Sequence, residues 1–378
     1  MTNVVVFDLD GVITSEHAYW VTGGLVLHEL LYSPRYWNIG GADSYTPVHT
    51  PEESRRLGNA TLPVDFIVKL KARSVNSNWD TCYVGVCVCL LDLLAALPDC
   101  ASLLPLQPWD AGWIDRFRQQ LAVHNVTALS ANVFARLDEP AFHGSLGLAL
   151  IDSFDAYASE LLGQPITGVF GRYSRSWKFC ANLFQEWYLG DDLYEQEAGH
   201  PPAQSGKPGC VHLEEPLLPL DRLHATLGQL RERGYTLGVA TGRPGREAIM
   251  PLKRYGLYPY FDERRIVTHA EVALAEAELR RNGEIASLVK PHPYQFLRAA
   301  NPDYAPGDPL PPQGSFVVVG DSTSDVLGAR GASALMLAVL TGALTTEARE
   351  LLEQSGPDFL VEDVTHVPDL LARLDRKA

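Results

Sequence analysis

Hydrophobic positions run along this chain in two distinct patterns. At the start, Val4, Val5, Val6 and Phe7 follow one another without a polar interruption, as in a strand covered on both faces. Comparable runs return only after residue 217. They are "YTLGVAT" at 235–241, "SFVVVGD" at 315–321 and "ALMLAVLTG" at 334–342, with a short strand in "RIVTHAEV" and an edge strand in "DFLVED" at 358–363. Helical periodicity fills the intervals at about 220–233, 245–255, 270–281 and 324–331, and a terminal helix follows the last strand. Strands alternating with helices predict an α/β unit with a doubly wound parallel sheet, whose ligands bind beyond the carboxyl ends of the strands.

From about Thr14 the alternation stops for nearly two hundred residues. Helical segments are expected at 23–32, 64–72, 82–97, 111–121, 152–162 and 177–189, rich in Leu, Ala, Trp and Tyr. This predicts a mostly α-helical domain, residues 15–212, inserted into an α/β core built from 1–14 and 213–378. The Gly- and Pro-rich stretch "EAGHPPAQSGKPGC" at 197–210 reads as a flexible return linker, and the two crossings as hinges. Proline-rich 301–314 reads as a surface loop.

Composition narrows the partners. The 378 residues are 46% hydrophobic and carry a formal charge of −15 at pH 7, which argues against a nucleic-acid backbone or an anionic membrane as partner. The longest apolar stretch, Cys82 to Pro98, is interrupted by Asp92 and falls short of the roughly 20 residues of a membrane span. A buried helix capped by Asn78 or Asp80 is expected instead. Six cysteines form no C-x-x-C pair, and three lie in that apolar run; they read as reduced core residues. With no basic segment or apolar signal core ahead of the first strand, a cytoplasmic location is expected.

The chemistry gathers where strands end. Asp8 and Asp10 share one side of the first strand's end, because extended side chains repeat every two residues. Two like charges so close call for a cation or for one raised pKa. The second strand ends in Thr241-Gly242-Arg243-Pro244, the "FVVVGD" strand in Gly320-Asp321 with Asp325 four residues on, and Lys290 stands in "SLVKPHP" ahead of a helix start. Two acid pairs, a hydroxyl, an ammonium and glycines with open N–H groups fit phosphoryl transfer through a carboxylate nucleophile. In that scheme Asp8 attacks phosphorus. Asp8, Asp321 and the Asp10 carbonyl hold Mg2+, with Asp325 as a further carboxylate of the metal shell. The Asp10 side chain acts as general acid and then base, Thr241 and the Gly242 N–H hold phosphate oxygens, and Lys290 supplies a point charge. An EF-hand is excluded, because Val12 and Ile13 stand where that loop needs an oxygen ligand and a glycine.

"DLDGVIT", "ATGRP", "VKP" and "GDSTSD" resemble, in order and placement, motifs one to four of the haloacid dehalogenase (HAD) superfamily. The resemblance implies a Rossmann-like core with a mobile cap, here unusually large and inserted between motifs one and two. Asp10 points to the phosphatase and phosphomutase branches, since the dehalogenases lack a carboxylate there. The expected activity is a Mg2+-dependent phosphatase cleaving a small phosphate monoester through an aspartyl phosphate. The alternatives are a phosphomutase, and a non-catalytic binding or regulatory module. A small phosphorylated metabolite is the expected partner. Within the cap, Arg172, Arg175 and Lys178 are the candidate anion contacts. His17, His292 and Arg243 read as structural or rim residues.

Overall fold

A computed structural model describes residues 3–41, 44, 45, 48, 50–343 and 345–376. The chain falls into two compact units, one formed by 1–16 and 214–378, the other by 17–213.

Among the described residues of the first unit, six strands form one parallel sheet. They are β1 (Val4–Phe7), β2 (Thr236–Ala240), β3 (Phe261–Val267), β4 (Val317–Gly320), β5 (Leu335–Val339) and β6 (Phe359–Val361), in the order β3-β2-β1-β4-β5-β6. This is the doubly wound, Rossmann-like α/β fold, and its order reverses at β1. Val4 pairs with Thr236 on one side and Val5 with Val317 on the other. The uninterrupted apolar run of β1 follows from burial on both faces. Val5 and Phe7 pack with Leu223, Leu227 and Leu252, whereas Val4 and Val6 pack with Phe296, Val326 and Ala329. Each such side chain withdrawn from water contributes about 1.5–3 kcal/mol.

The structure moves several expected boundaries. β3 begins at Phe261, ahead of "RIVTHAEV", and Thr268 already caps the next helix, His269–Arg281, through a capping box with Glu271. Helices Tyr294–Ala300 and Thr346–Gln354 add to the pattern.

The second unit is helical among its described residues, with helices His17–Tyr32, Pro51–Thr61, Val64–Ala72, Asn78–Ala95, Ala111–Val123, Leu148–Leu162, Arg175–Leu189 and Asp191–Ala198. Asn78–Ala95 is long and apolar enough to pass for a membrane span, but 83% of its apolar window is buried inside the protein. Its N-cap is Ser77, not Asn78 or Asp80. Asp80 instead accepts the Trp177 indole N–H at 2.7 Å and pairs with Arg172. Of the six free cysteines, Cys100 alone is half-buried; burial pushes the Cys82 and Cys87 thiols well up. The stretch 197–210, expected to be a flexible linker, is pinned near its end at Lys207. The Lys207 ammonium, almost wholly buried, pairs with Glu186 at 2.9 Å and Glu29 at 3.3 Å, and the Trp187 N–H donates to Glu29. Two buried carboxylates need that cation, so the segment cannot swing free at Lys207.

Candidate active site

The carboxyl ends of β1, β2 and β4 meet where the strand order reverses, and the site is built there. The Asp8 amide donates to the Val319 carbonyl at 2.9 Å, which extends the β1–β4 ladder by one residue and fixes the Asp8 side chain at its end. Next comes Gly11, with φ +73°, which turns the chain sharply after Asp10. A Cβ on Gly11 would lie 2.0 Å from Asp321 Oδ2, and one on Gly342, after β5, 1.5 Å from the same oxygen. The two glycines form a cradle that only the Asp321 carboxylate fills.

Asp325 sits in the first turn of helix Thr323–Gly331. Its Oδ2 accepts from the Ser322 N–H at 3.1 Å and the Ser322 hydroxyl at 2.7 Å, while the Ser322 oxygen caps the Asp325 amide. Its Oδ1 accepts from Lys290 Nζ at 2.8 Å, and the same ammonium lies 3.1 Å from Asp8 Oδ1. Lys290 also stands 4.8 Å over the Phe296 ring. Burial alone would lower the Lys290 pKa, but Asp325 and Asp8 more than reverse this and raise it above the usual lysine value. Burial dominates at Asp8 and, with Asp325 and Asp10 adding to it against the pull of Lys290, pushes the carboxyl up to about 7.

Asp8, Asp321 and Asp325 each bring a carboxylate oxygen within 4.8 Å of the other two, the one such cluster among the described residues. One Lys pairs with two of these acids. That donor set, all hard oxygens with room for the Asp321 carboxylate left by the two glycines, fits a divalent cation such as Mg2+. The Asp10 carboxylate lies outside the cluster and turns to Arg243. Thr241 is fully buried; its hydroxyl accepts from the Arg243 N–H at 3.3 Å and its carbonyl from the Gln295 amide at 2.7 Å. Gly242 is exposed with open space around it, so a ligand can reach its N–H.

Of the two alternatives read for Arg243, structural or rim, the structure favours the first: it is buried at the centre of a network that joins Asp10, Thr14 and Glu214. Arg172 is committed to Asp80 and to stacking on Tyr173 at 4.8 Å, which leaves Arg175 and Lys178 as the exposed cations of that segment. Glu214 carried no signal in the sequence, because nothing local marks a lone Glu as the counter-ion of an arginine 29 residues later.

Fold and site together resemble those of haloacid dehalogenase-like hydrolases. The model of a family described as HAD-hydrolase-like matches residues 288–367, the part that carries Lys290, Asp321 and Asp325. The pyrophosphatase PpaX of Halalkalibacterium halodurans is 28% identical over 221 residues, covering 58% of this chain and 80% of that protein. That of Bacillus mycoides is 26% identical over 165 residues, covering 43% of this chain and 65% of its own length. An X-ray structure solved as Northeast Structural Genomics Consortium target ZR25 superimposes with a TM-score of 0.77 at 25% identity, covering 99% of both chains. These likenesses support a haloacid dehalogenase-like hydrolase.

Proposed function

We propose that this enzyme is a Mg2+-dependent phosphatase that hydrolyses a small phosphorylated metabolite in the cytoplasm through an aspartyl phosphate. The observation that carries the reading is the Lys290 ammonium bridging Asp8 and Asp325 beside Asp321. Asp8, Asp321, the Asp10 carbonyl and Asp325 are the groups that would hold Mg2+, which when bound would neutralise charge on nucleophile and phosphate. Lys290 keeps Asp8 oriented and offsets part of the charge on the incoming phosphate. A carboxylate oxygen of Asp8 bonds to phosphorus as the bond to the leaving oxygen breaks, and Asp10 gives that oxygen its proton. Water then loses a proton to Asp10 and bonds to phosphorus as the bond to Asp8 breaks, which restores both carboxyl groups. The Gly242 N–H and the Thr241 hydroxyl are the groups assigned to the phosphate oxygens. In this reading the helical unit is the cap that selects the substrate.

The test is phosphate release from a panel of phosphometabolites, pyrophosphate included because the Bacillus relatives are named pyrophosphatases. Wild type with Mg2+ is expected to release phosphate, EDTA to stop it, and Asp8→Asn to abolish turnover while keeping the thermal midpoint. Full activity in folded Asp8→Asn would remove the aspartyl phosphate from the mechanism. Isomer formation without free phosphate would favour a phosphomutase.

A further inference from the structure

We infer that Arg243 is a positioning residue that orients Asp10 for proton transfer, an inference that rests on the phosphatase reading. Its guanidinium is buried between two carboxylates. Nε donates to Asp10 Oδ1 and Oδ2, both at 3.1 Å, and a terminal nitrogen donates to Oδ1 again. On the other side Glu214, fully buried at its side chain, accepts at 3.0 and 3.3 Å, and the Glu247 carbonyl accepts at 3.2 Å. The Thr14 hydroxyl accepts from Arg243 at 3.0 Å and donates to Asp10 Oδ1 at 3.5 Å.

These contacts are unequal between the two Asp10 oxygens. Oδ1 receives three donors, and Oδ2 only a share of Nε. The network therefore anchors Oδ1 to groups inside the protein and leaves Oδ2 as the oxygen with room for a proton and for the leaving oxygen. The Asp10 side chain is 20% exposed, against 1% for Arg243, so the buried partner sets the direction of the accessible one. A planar five-donor fork does this in a way that an ammonium cannot.

The experiment compares kcat/KM, which reports transfer to Asp8, over aryl phosphates from 4-nitrophenyl to phenyl and on to glycerol phosphate, with Mg2+. The variants are Arg243→Lys, Asp10→Asn and the double variant Arg243→Met with Glu214→Gln, which removes the charge of both buried partners together. A 4-nitrophenolate leaving group needs no proton, whereas an alkoxide does. Arg243→Lys and the double variant are expected to lose about 100-fold on glycerol phosphate and less than about 5-fold on 4-nitrophenyl phosphate, the pattern of Asp10→Asn. An equal loss across the series, or none, in a folded variant overturns the inference. So does failure of both variants to fold, which would assign Arg243 to stability alone. A wild type inert on every ester overturns the phosphatase reading itself, and this inference with it.

Discussion

At the scale of single residues, the site depends as much on missing side chains as on present ones. Gly342 is an ordinary glycine by backbone angle, yet a methyl group there would stand 1.5 Å from the Asp321 oxygen. Gly342→Ala is therefore expected to push that carboxylate out of the cluster. Mg2+ affinity, measured by calorimetry, should fall about 10–100-fold, the cost typical of disturbing a ligand's support, with little change in helix content. Unchanged affinity would mean that Asp321 is not a ligand. The acids and Lys290 were legible in the sequence because each follows a recognisable strand end or precedes a helix start. Neither Gly342 nor the Arg243–Glu214 pair was. Their roles depend on which segments meet in space, and no periodicity encodes that.

At the scale of elements, helices with a clear apolar stripe or run were legible to within a few residues, Val64–Ala72 to the residue. Two of the failures involve glycines. Helix His17–Tyr32 was expected only from 23, where Gly23 and Gly24 interrupt its apolar pattern, and Pro51–Thr61 was missed with Gly58 inside it. A Cβ on Gly24 would meet the Gly58 carbonyl oxygen at 2.0 Å, and one on Gly58 would meet that of Val21 at 2.6 Å. The glycines that hide these helices are what let them cross so closely. Elsewhere in the unit one carboxylate ties three elements together. Asp92, on Asn78–Ala95, accepts from the Ser130 N–H at 2.8 Å, its hydroxyl at 2.7 Å, and Arg136 at 2.8 Å, while Arg136 also donates to Tyr157. Burial acts to raise the Asp92 pKa, but these hydrogen bonds outweigh it and hold the carboxyl below its ordinary value. Since the unfolded carboxyl titrates near about 4, the stabilisation is complete above that pH and drains away as pH falls through the lower folded value. Thermal midpoints followed from pH 6 downward should drop less steeply for Asp92→Asn than for wild type, from a lower starting point. Parallel curves would show that Asp92 gains nothing from ionisation in the fold.

At the scale of the whole molecule, a unit of contiguous residues interrupts a unit that is not. If the helical unit selects the substrate, replacing 17–213 by a short linker should leave a folded core that still hydrolyses 4-nitrophenyl phosphate and no longer distinguishes among natural esters. Selectivity equal to that of the intact chain would put specificity in the core. The core closes over the interruption by itself: the Ser15 N–H donates to the Glu215 carbonyl at 3.0 Å, the Leu217 N–H to that of Ile13 at 2.9 Å, and Thr14 bridges Pro216 antiparallel. This small clasp has a consequence for synthesis. Strand β1 leaves the ribosome well before the strands it pairs with, which begin at Thr236 and Val317, so it waits for them while the helical unit, complete in sequence, folds behind it. Once that unit is compact, the clasp closes a short gap rather than a chain of some two hundred disordered residues, and the entropy of loop closure falls accordingly. Asp8 thus emerges long before Lys290, Asp321 and Asp325, and the clasp is what brings its end of the chain back to theirs.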